Sequence, residues 1–346
     1  MPENVNPDRV VSGEQQGNSD ADLDLTLRPK SFDDFIGQKQ IKHNLHVYIT
    51  AAKKRGESLD HILFSGPPGL GKTTLANIVA NEMESELKST SGPVLEKARD
   101  LAGVLSNLQP GDVLFIDEIH RMIFVVEEYL YSAMEDFSID LLIDQGPSAR
   151  SIKINLPSFT LVGATTREGL LTSPLRSRFG VLERLEYYEK KNLTAIVLRA
   201  ADLLGIEIDE DAAAEIGSRS RGTPRVANRF VRRVRDVAQV EGSGRIDLAA
   251  AQKGLEMLGV DRQGLEKIDR RILRMLVEQK GNPVGLKTIA VSIGEEEGTI
   301  EDVYEPFLIQ EGLLLKTARG RIPADRTYQL FGVRPGDQET FDFDAR

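Results

Sequence analysis

Residues 66–80 have the sequence GPPGLGKTTLANIVA, and this stretch decides the fold of the first half of the chain. The residues before it, 61–65, form a mostly apolar run that is typical of a buried strand, and apolar residues recur after it at helical spacing. A glycine-rich loop between a strand and a helix points successive backbone N–H groups at one anion, and the helix N-terminus adds positive charge. The pattern GxxxxGKT therefore predicts a loop that binds a phosphate chain. A glycine-rich turn that only links the strand to the helix is the alternative.

The residues of this loop have distinct predicted roles. Lys72 is expected to contact the terminal phosphates, and the Thr73 hydroxyl is expected to bind Mg²⁺. Thr74 adds a further donor, while Gly69 and Gly71 supply the backbone freedom that the loop needs. The sequence thus predicts a site for a nucleoside triphosphate and Mg²⁺.

Two carboxylates follow a second predicted strand. Residues 113–116 are apolar, and Asp117 and Glu118 stand at their end. Open parallel α/β sheets bind ligands outside the carboxyl ends of their strands, so Asp117 is expected to bind Mg²⁺ and Glu118 to orient or deprotonate the attacking water. A pair of solvated acids that caps the next helix is the alternative. A third predicted strand, 159–164, brings Thr165 and Thr166 to the same edge, and the alternation of strands and helices predicts a doubly wound α/β fold.

The composition limits the class of protein. A chain of 346 residues allows two or three domains, and no apolar run approaches the ~18 residues of a membrane span. The absence of cysteine excludes disulfides and thiolate sites. The polar and acidic residues 1–24 predict a disordered leader rather than a signal peptide, so the cytoplasm is the expected location. His43 and His46 share a predicted helix face, but no further ligand set is apparent and no structural metal is predicted.

Five motifs follow one another in the order of a known family. They are GPPGLGKT (66–73), DEIH (117–120), GATTR (163–167), SPLRSRFG (173–180) and RGTPR (221–225). In this order they resemble the AAA+ ATPases. The longer segments FIDEIHRM, LYSAMEDF, LVGATTREGLLTSPLRSRFG and RGTPRVANR resemble, more narrowly, the RuvB family of motors that drive branch migration of Holliday junctions. The resemblance covers the chain from Leu25 to about Gly332.

The resemblance implies ATP hydrolysis by a hexameric ring, with site residues outside the loop. Arg178 corresponds to the arginine finger that acts in a neighbouring subunit's site, with Arg176 as support; a helix-end arginine paired with an acid such as Glu183 is the alternative. Thr166 corresponds to the family's sensor 1, and Thr165 stays open for the same role. The same matching puts further residues near the nucleotide, namely Leu27, Arg28, Glu135, Asp136, Phe137 and Tyr188.

Arg225 has an argument of its own. Gly222, Thr223 and Pro224 predict a loop, an N-cap and a first-turn proline, so Arg225 falls in the first turn of a helix. A cation there opposes the helix dipole. A phosphate opposite Arg225 would explain this placement, and the residue corresponds to sensor 2 of the family.

An insertion at about 139–156 lies between the second and third predicted strands. Ile152, Ile154 and Leu156 alternate with polar residues, which predicts a hairpin with its turn at QGPSA, 145–149. Its apolar stripe either docks another protein or packs on its own domain. The resemblance implies docking onto a RuvA-type junction-binding protein, with a RuvC-type resolvase as a further partner.

The last third of the chain predicts a winged-helix head. Helices are expected at 269–278, at 285–293 and after an N-cap at Thr299, with Pro306 kinking or ending the third. DNA phosphates would repel the acids that crowd this third helix and its approach, which are Glu295, Glu296, Glu297, Glu301, Asp302 and Glu305. The basic wing KTARGR, 316–321, instead suits a phosphate grip that does not read sequence. Because the net charge is −10, DNA contact is expected only at such a patch, through Lys316, Arg319 and Arg321; a solvated basic turn is the alternative.

The predicted architecture is an α/β AAA+ P-loop ATPase domain followed by an all-α lid and a winged-helix head. The expected boundaries are a leader at 1–24, the ATPase domain at 25–186, the lid at 187–259, the head at 260–333 and a tail at 334–346. The expected substrate is double-stranded DNA at four-way junctions. Two rival functions are a clamp-loader-like switch and an ATP-controlled winged-helix transcription regulator.

Overall fold

The computed structural model describes residues 26–142 and 151–333. The predicted leader, the predicted turn at 145–149 and the predicted tail lie outside these residues. The strands are β1 (Ile62–Ser65), β2 (Leu87–Ser91), β3 (Val113–Asp117), β4 (Ser138–Leu142), β5 (Ser151–Asn155), β6 (Thr160–Thr165), β7 (Val181–Arg184), β8 (Leu314–Thr317) and β9 (Gly320–Pro323).

The helices follow the same order along the chain. They are α1 (Lys39–Arg55), α2 (Lys72–Glu82), α3 (Ala98–Leu105), α4 (Phe124–Glu135), α5 (Ser173–Ser177), α6 (Lys190–Leu203), α7 (Glu210–Arg219), α8 (Pro224–Glu241), α9 (Leu248–Met257), α10 (Lys267–Glu278), α11 (Leu286–Ile293), α12 (Glu297–Thr299), α13 (Glu305–Gln310) and α14 (Asp325–Phe331). No helix within the described ranges combines the length and the apolar character that a bilayer crossing requires.

The first domain is built on a five-stranded sheet in the order β2-β3-β6-β1-β7. Every neighbouring pair is parallel, so the carboxyl ends of β1, β3 and β6 lie at one edge. The predicted doubly wound α/β fold is confirmed. The sheet also contains β2 and β7, which the sequence analysis missed because LKSTS and VLER are partly exposed and lack the continuous apolar run of a central strand.

Alternate residues of the inner strand β1 face two separate cores. Ile62 and Phe64 belong to the core that includes α1, α2 and the lid helices. Leu63 belongs to the core that includes α3 and α4. Because the period of side chains along a strand is two, one short strand holds both layers of the domain, and it fixes the loop that follows it.

The insertion forms an antiparallel pair of β4 and β5, with Ser138 opposite Asn155. Its base packs on its own domain, because Ile139 and Leu156 are buried in the core that contains Phe159. Ile152 is 51% exposed. The antiparallel pairing of the two strands is the one that the predicted hairpin requires. Its apolar stripe has a buried base, which packs on its own domain, and an exposed part at Ile152.

The lid consists of α6, α7, α8 and α9, which share one core with the first domain. The predicted start of α8 is confirmed, with Thr223 as N-cap and Pro224 in the first turn. The Thr223 hydroxyl donates to the carbonyl of Arg221, however, and not to the helix end. The helix therefore begins where proline fixes φ and not where a side chain caps it.

The head has its own core, to which α10, α11, α13, α14 and β8 contribute. The predicted N-cap at Thr299 is wrong, because the third helical segment begins at Glu297 and Thr299 has helical dihedrals. A π-helical turn at Ile300–Tyr304 precedes α13. Pro306 stands in the first turn of α13, where its missing N–H and its ring are tolerated, so the predicted interruption takes the form of a widened turn.

A buried arginine joins the lid to the head. Arg221 donates to Asp269 at 3.1 Å, and its guanidinium lies 4.3 Å from the centre of the Phe307 ring. Burial raises the pKa of Asp269 to about 6, although Arg221 opposes this shift. The pair is shielded from water, so removal of either partner would leave a buried charge without its counter-ion between the lid and the head.

Candidate active site

The phosphate-binding loop has a backbone that only glycine adopts easily. Gly66, Gly69 and Gly71 have φ angles of 131°, 77° and 106°. A Cβ on Gly66 would lie 2.5 Å from the carbonyl oxygen of Leu185, and one on Gly69 would lie 2.7 Å from Cγ2 of Thr223. A side chain at either glycine would therefore collide with the segment after β7 or with the start of α8.

Lys72 begins α2 directly after this loop. Its ammonium group donates to the carbonyls of Gly66 at 2.7 Å and Pro67 at 2.8 Å. Burial lowers the pKa of Lys72 to about 8, against the opposing effect of Asp117 and Glu118. A cation that is costly to bury gains most from an anion beside it, which is what a terminal phosphate would supply.

The acidic pair lies at the carboxyl end of β3, opposite the loop. Asp117 accepts a hydrogen bond from the backbone N–H of Glu118 at 2.9 Å. Glu118 has a φ of 49°, in the left-handed region that non-glycine residues rarely adopt. Within the described residues its side chain does not cap the following turn, so the capping alternative does not hold. Backbone strain of this kind is found at functional sites.

One cavity of about 440 Å³ brings the predicted residues together. It lies between the loop, the acidic edge of the sheet and the first turn of α8. The predicted residues that line it are Leu27, Arg28, Gly69, Gly71, Lys72, Thr73, Thr74, Asp117, Glu118, Thr166, Tyr188 and Arg225. The set combines helix N-terminal donors, cations for phosphates and a carboxylate for a hard cation, and it therefore fits a nucleoside triphosphate with Mg²⁺.

Further lining residues come from segments without a site motif. Phe35 and Ile36 line the cavity, and Phe35 is also buried in the core that includes α1 and α2. Arg199 and Asn228 come from the lid helices α6 and α8. No local pattern marks Arg199 or Asn228, because their position depends on how the lid folds back over the loop.

The two threonines after β6 have different positions. Thr166 lines the cavity, whereas Thr165 is fully buried. The Thr165 hydroxyl accepts from the backbone N–H of Arg167 at 3.0 Å and lies 2.9 Å from Nδ1 of His120. Burial lowers the pKa of His120. Thr166 is therefore the threonine that faces the cavity, and Thr165 supports the strand end.

Arg178 is at the end of α5, and it does not line the described cavity. It donates to Glu135 at 2.9 Å and to the carbonyl of Pro174 at 2.8 Å, and it lies over the ring of Tyr131. Its acidic partner is thus Glu135, while Glu183 accepts from Asn44. Arg176 is exposed.

The segment of Glu135, Asp136 and Phe137 is likewise outside the lining of the described cavity. Phe137 contacts Phe159 edge to face, with ring centres 5.8 Å apart. Arg178 and these three residues therefore lie outside the lining of their own chain's described cavity.

The three basic residues of the wing have unequal environments. Lys316 is exposed and donates to Glu301 at 2.8 Å, and Arg319 is exposed at the turn. Arg321 is only 8% exposed and donates to Glu305 at 2.6 Å. Lys316 and Arg319 are accessible to a phosphate, whereas Arg321 is placed as a structural partner of the head.

Three family models match consecutive parts of the chain. The Holliday junction DNA helicase RuvB P-loop domain matches residues 27–185. The RuvB AAA lid domain matches residues 188–261, and the RuvB C-terminal winged helix domain matches residues 262–332. Together the three models cover nearly all the residues that the structure describes.

Individual relatives agree with these matches. A Holliday junction branch migration complex subunit RuvB from Myxococcus xanthus is 60% identical over 317 residues, 91% of this chain and 92% of that protein. The corresponding subunit of Salinibacter ruber is 58% identical, over 94% of this chain and 95% of its own. The solved structure of the Thermotoga maritima RuvB Holliday junction branch migration motor superposes with a TM-score of 0.81 at 50% identity, covering 89% of this chain and 99% of that one.

Proposed function

The chain belongs to the RuvB family of AAA+ P-loop proteins, and from that premise we propose that it is the ATP-hydrolysing motor of Holliday junction branch migration in DNA recombination and repair. The observation that carries the proposal is the cavity that joins the phosphate-binding loop, the acidic edge of the sheet and Arg225 of the lid. A site built from two domains changes shape when its ligand changes, so hydrolysis can move the lid and the head attached to it.

The residues of the cavity divide the work of hydrolysis. Lys72 and the loop N–H groups hold the phosphates, Thr73 and Asp117 hold Mg²⁺, and Glu118 orients and deprotonates the attacking water. When bound, Mg²⁺ neutralises the phosphate charge that develops during transfer. Thr166 contacts the terminal phosphate from the sheet, and Arg225 contacts it from the lid. Loss of that phosphate therefore removes a contact in both domains.

A ring of subunits completes the site. Arg178 lies away from its own cavity and is held in place by Glu135 and Tyr131. A neighbour in a hexamer would present this surface to the next cavity, where the cation stabilises the transferring phosphoryl group. Within the chain Arg178 is already paired with Glu135. The phosphate in the neighbour's site therefore competes with this surface carboxylate for the Arg178 guanidinium.

DNA and protein partners use other surfaces. Lys316 and Arg319 grip the backbone of duplex DNA without reading its sequence. The exposed part of the 139–156 insertion, marked by Ile152, docks the RuvA-type junction-binding protein, and a RuvC-type resolvase acts on the same junction. We infer that the motor acts in the cytoplasm, where bacterial DNA lies.

A synthetic four-way junction with homologous arms tests the proposal. The protein is mixed with its junction-binding partner, Mg²⁺ and ATP, and the Lys72→Ala variant is the control. We expect conversion of the junction into two duplexes with the unaltered protein only. ATP turnover without strand movement would instead favour the clamp-loader-like switch, and sequence-specific duplex binding would favour the transcription regulator.

A further inference from the structure

A chain of polar contacts connects the catalytic edge of the sheet to the wing, across two domains. It begins at Glu118, whose Oε2 lies 3.5 Å from Nε2 of the buried His120. It continues from Nδ1 of His120 to the Thr165 hydroxyl at 2.9 Å, and from there to the backbone N–H of Arg167 at 3.0 Å. The contacts run without a gap from the candidate base to the residue after Thr166.

The hydrogen positions of this chain are mutually consistent. The Thr165 oxygen accepts from the Arg167 N–H, and the hydroxyl can then give its own hydrogen to Nδ1 of His120. A neutral imidazole that accepts at Nδ1 carries its hydrogen at Nε2, which faces Glu118. The Nε2 hydrogen is then on the side of the Glu118 carboxylate, 3.5 Å from Oε2, so the imidazole that contacts the end of β6 also lies beside Glu118.

Arg167 carries the chain into the head. Its Nε and Nη2 donate to Oδ1 of Asp302 at 3.0 and 2.7 Å, and Nη2 lies 3.5 Å from Glu301. Glu301 also accepts from Lys316 of the wing at 2.8 Å. One carboxylate thus has a cation of the ATPase domain on one side and a DNA-facing cation of the wing on the other.

The bridge from Arg167 to Glu301 and Asp302 is weak enough to form and break during the working cycle. The side chains of Arg167, Glu301 and Asp302 are 35%, 36% and 40% exposed, and exposed ion pairs contribute little to stability. The lid–head pair of Arg221 and Asp269 is buried. The head thus contacts the lid through a buried pair and the ATPase domain through an exposed bridge, and the exposed bridge can change at little cost.

We propose that Arg167 is a positioning residue that couples DNA contact at the wing to ATP hydrolysis, through its bridge to Asp302 and Glu301. A DNA phosphate at Lys316 competes with Glu301 for the same ammonium group. Glu301 then keeps Arg167 at 3.5 Å and the more distant Arg321 at 3.8 Å as its cations, and the bridge to Arg167 tightens. The tightened bridge fixes the end of β6, so Thr165, His120 and Glu118 adopt the arrangement that hydrolysis requires. This inference rests on the proposed motor function.

The Asp302→Asn variant tests the coupling without altering the cavity. The quantity measured is kcat for ATP hydrolysis at saturating duplex DNA, divided by kcat without DNA, so that changes in DNA affinity do not enter. We expect this ratio to fall about threefold or more in Asp302→Asn, with unchanged DNA-free turnover and melting temperature. Glu297→Gln removes the same charge from an exposed position of the head and is expected to keep the full ratio.

A charge reversal separates coupling from a structural role. Arg167→Asp alone is expected to lose the stimulation, and Arg167→Asp combined with Asp302→Arg is expected to regain at least about half of it. An unchanged ratio in Asp302→Asn, or no recovery in the reversed pair, would overturn the inference. DNA-free turnover that rises in Asp302→Asn to the DNA-bound level would also overturn it, because the bridge would then restrain hydrolysis.

The unaltered protein distinguishes this inference from the motor proposal. Junction conversion with an unchanged Asp302→Asn ratio leaves the motor standing and removes only the coupling. If the unaltered protein hydrolyses ATP at the same rate with and without DNA, there is no coupling for Arg167 to carry. If it hydrolyses no ATP at all, both proposals fail together.

Discussion

The backbone conformation and the neighbours of Glu118 support its assignment as the catalytic base. It has a left-handed φ of 49°, and its carboxylate lies 3.5 Å from Nε2 of His120. We expect Glu118→Gln to bind ATP with nearly unchanged affinity, because Lys72, Thr73 and Asp117 stay in place. Turnover should fall about 10²- to 10⁴-fold, the usual contribution of general base catalysis. Single-turnover hydrolysis and fluorescent nucleotide titration measure the two quantities.

Glu128→Gln is the matched control, since Glu128 is exposed on α4 of the same domain. It should bind and hydrolyse ATP like the unaltered chain. A Glu118→Gln protein that retains most of its turnover would move the base elsewhere in the cavity. Loss of nucleotide affinity in the same variant would assign Glu118 to ligand binding instead.

For individual residues, the sequence predicted which ones line the cavity better than it predicted which side chains contact each other. Lys72, Thr73 and Asp117 follow from local patterns, because the loop and the strand ends put them at one edge. The choice between Thr165 and Thr166 does not, since it depends on which face of β6 each residue takes at its end. Arg321 could not be separated from its basic neighbours for a similar reason. The basic run in the sequence does not show that Arg321 forms an ion pair with Glu305.

The wing is the element whose prediction the structure refines. Lys316 and Arg319 are exposed, whereas Arg321 and Glu305 form a nearly buried pair. We expect Lys316→Ala with Arg319→Ala to weaken duplex binding equally for all sequences. The slope of log affinity against log salt should fall by about 2, close to 0.9 for each lost phosphate contact. Fluorescence anisotropy across a range of KCl concentrations measures it.

Arg321→Ala is the matched comparison within the same wing. It leaves Glu305 buried without its partner, so the free energy of unfolding of the head should fall by about 3–5 kcal/mol. Denaturant titration of the full chain measures this loss. A stable Arg321→Ala protein with a reduced salt slope would return Arg321 to the DNA contacts, and an unchanged slope in the double variant would remove the wing from them.

Elements with one strong pattern were predictable, and elements that depend on their neighbours were not. β1, β3 and β6 are buried on both faces and appear as apolar runs. The edge strands β2 and β7 carry polar residues, and only pairing with an inner strand makes them strands. The start of the third head segment was misplaced because Thr299 is a good N-cap by type but lies inside a helical stretch that Glu297 opens.

At the scale of the whole molecule, the order of domains was predictable and the contacts between them were not. Each domain has its own motif or periodicity along the chain, and the fold class follows from that order. The Arg221–Asp269 joint and the Arg167–Asp302 bridge join residues that are 48 and 135 positions apart. No local pattern pairs such residues, so the route from the nucleotide to the wing appears only in the folded chain.

Arg178 decides whether the active site belongs to one chain or to two. Its guanidinium lies over Tyr131 and against Glu135, outside the described cavity of its own chain. If it acts on a neighbour's nucleotide, Arg178→Ala should lower turnover by about 10³- to 10⁵-fold, as loss of an arginine finger does. Lys72→Ala should be equally inactive, because it loses the phosphate contact within each chain.

Mixing these two inactive proteins tests the shared site directly. In a randomly mixed ring at equal amounts, about one quarter of the sites combine an intact Lys72 with a neighbour's intact Arg178, because the contact between subunits is heterologous. ATP turnover should therefore reappear and pass through a maximum at equal proportions. A protein that carries both substitutions is the control, and its addition to either single variant should restore nothing. Turnover that stays at the level of the single variants at every ratio, in rings shown by light scattering to be mixed, would confine Arg178 to its own chain and remove the reason for a ring-shaped active unit.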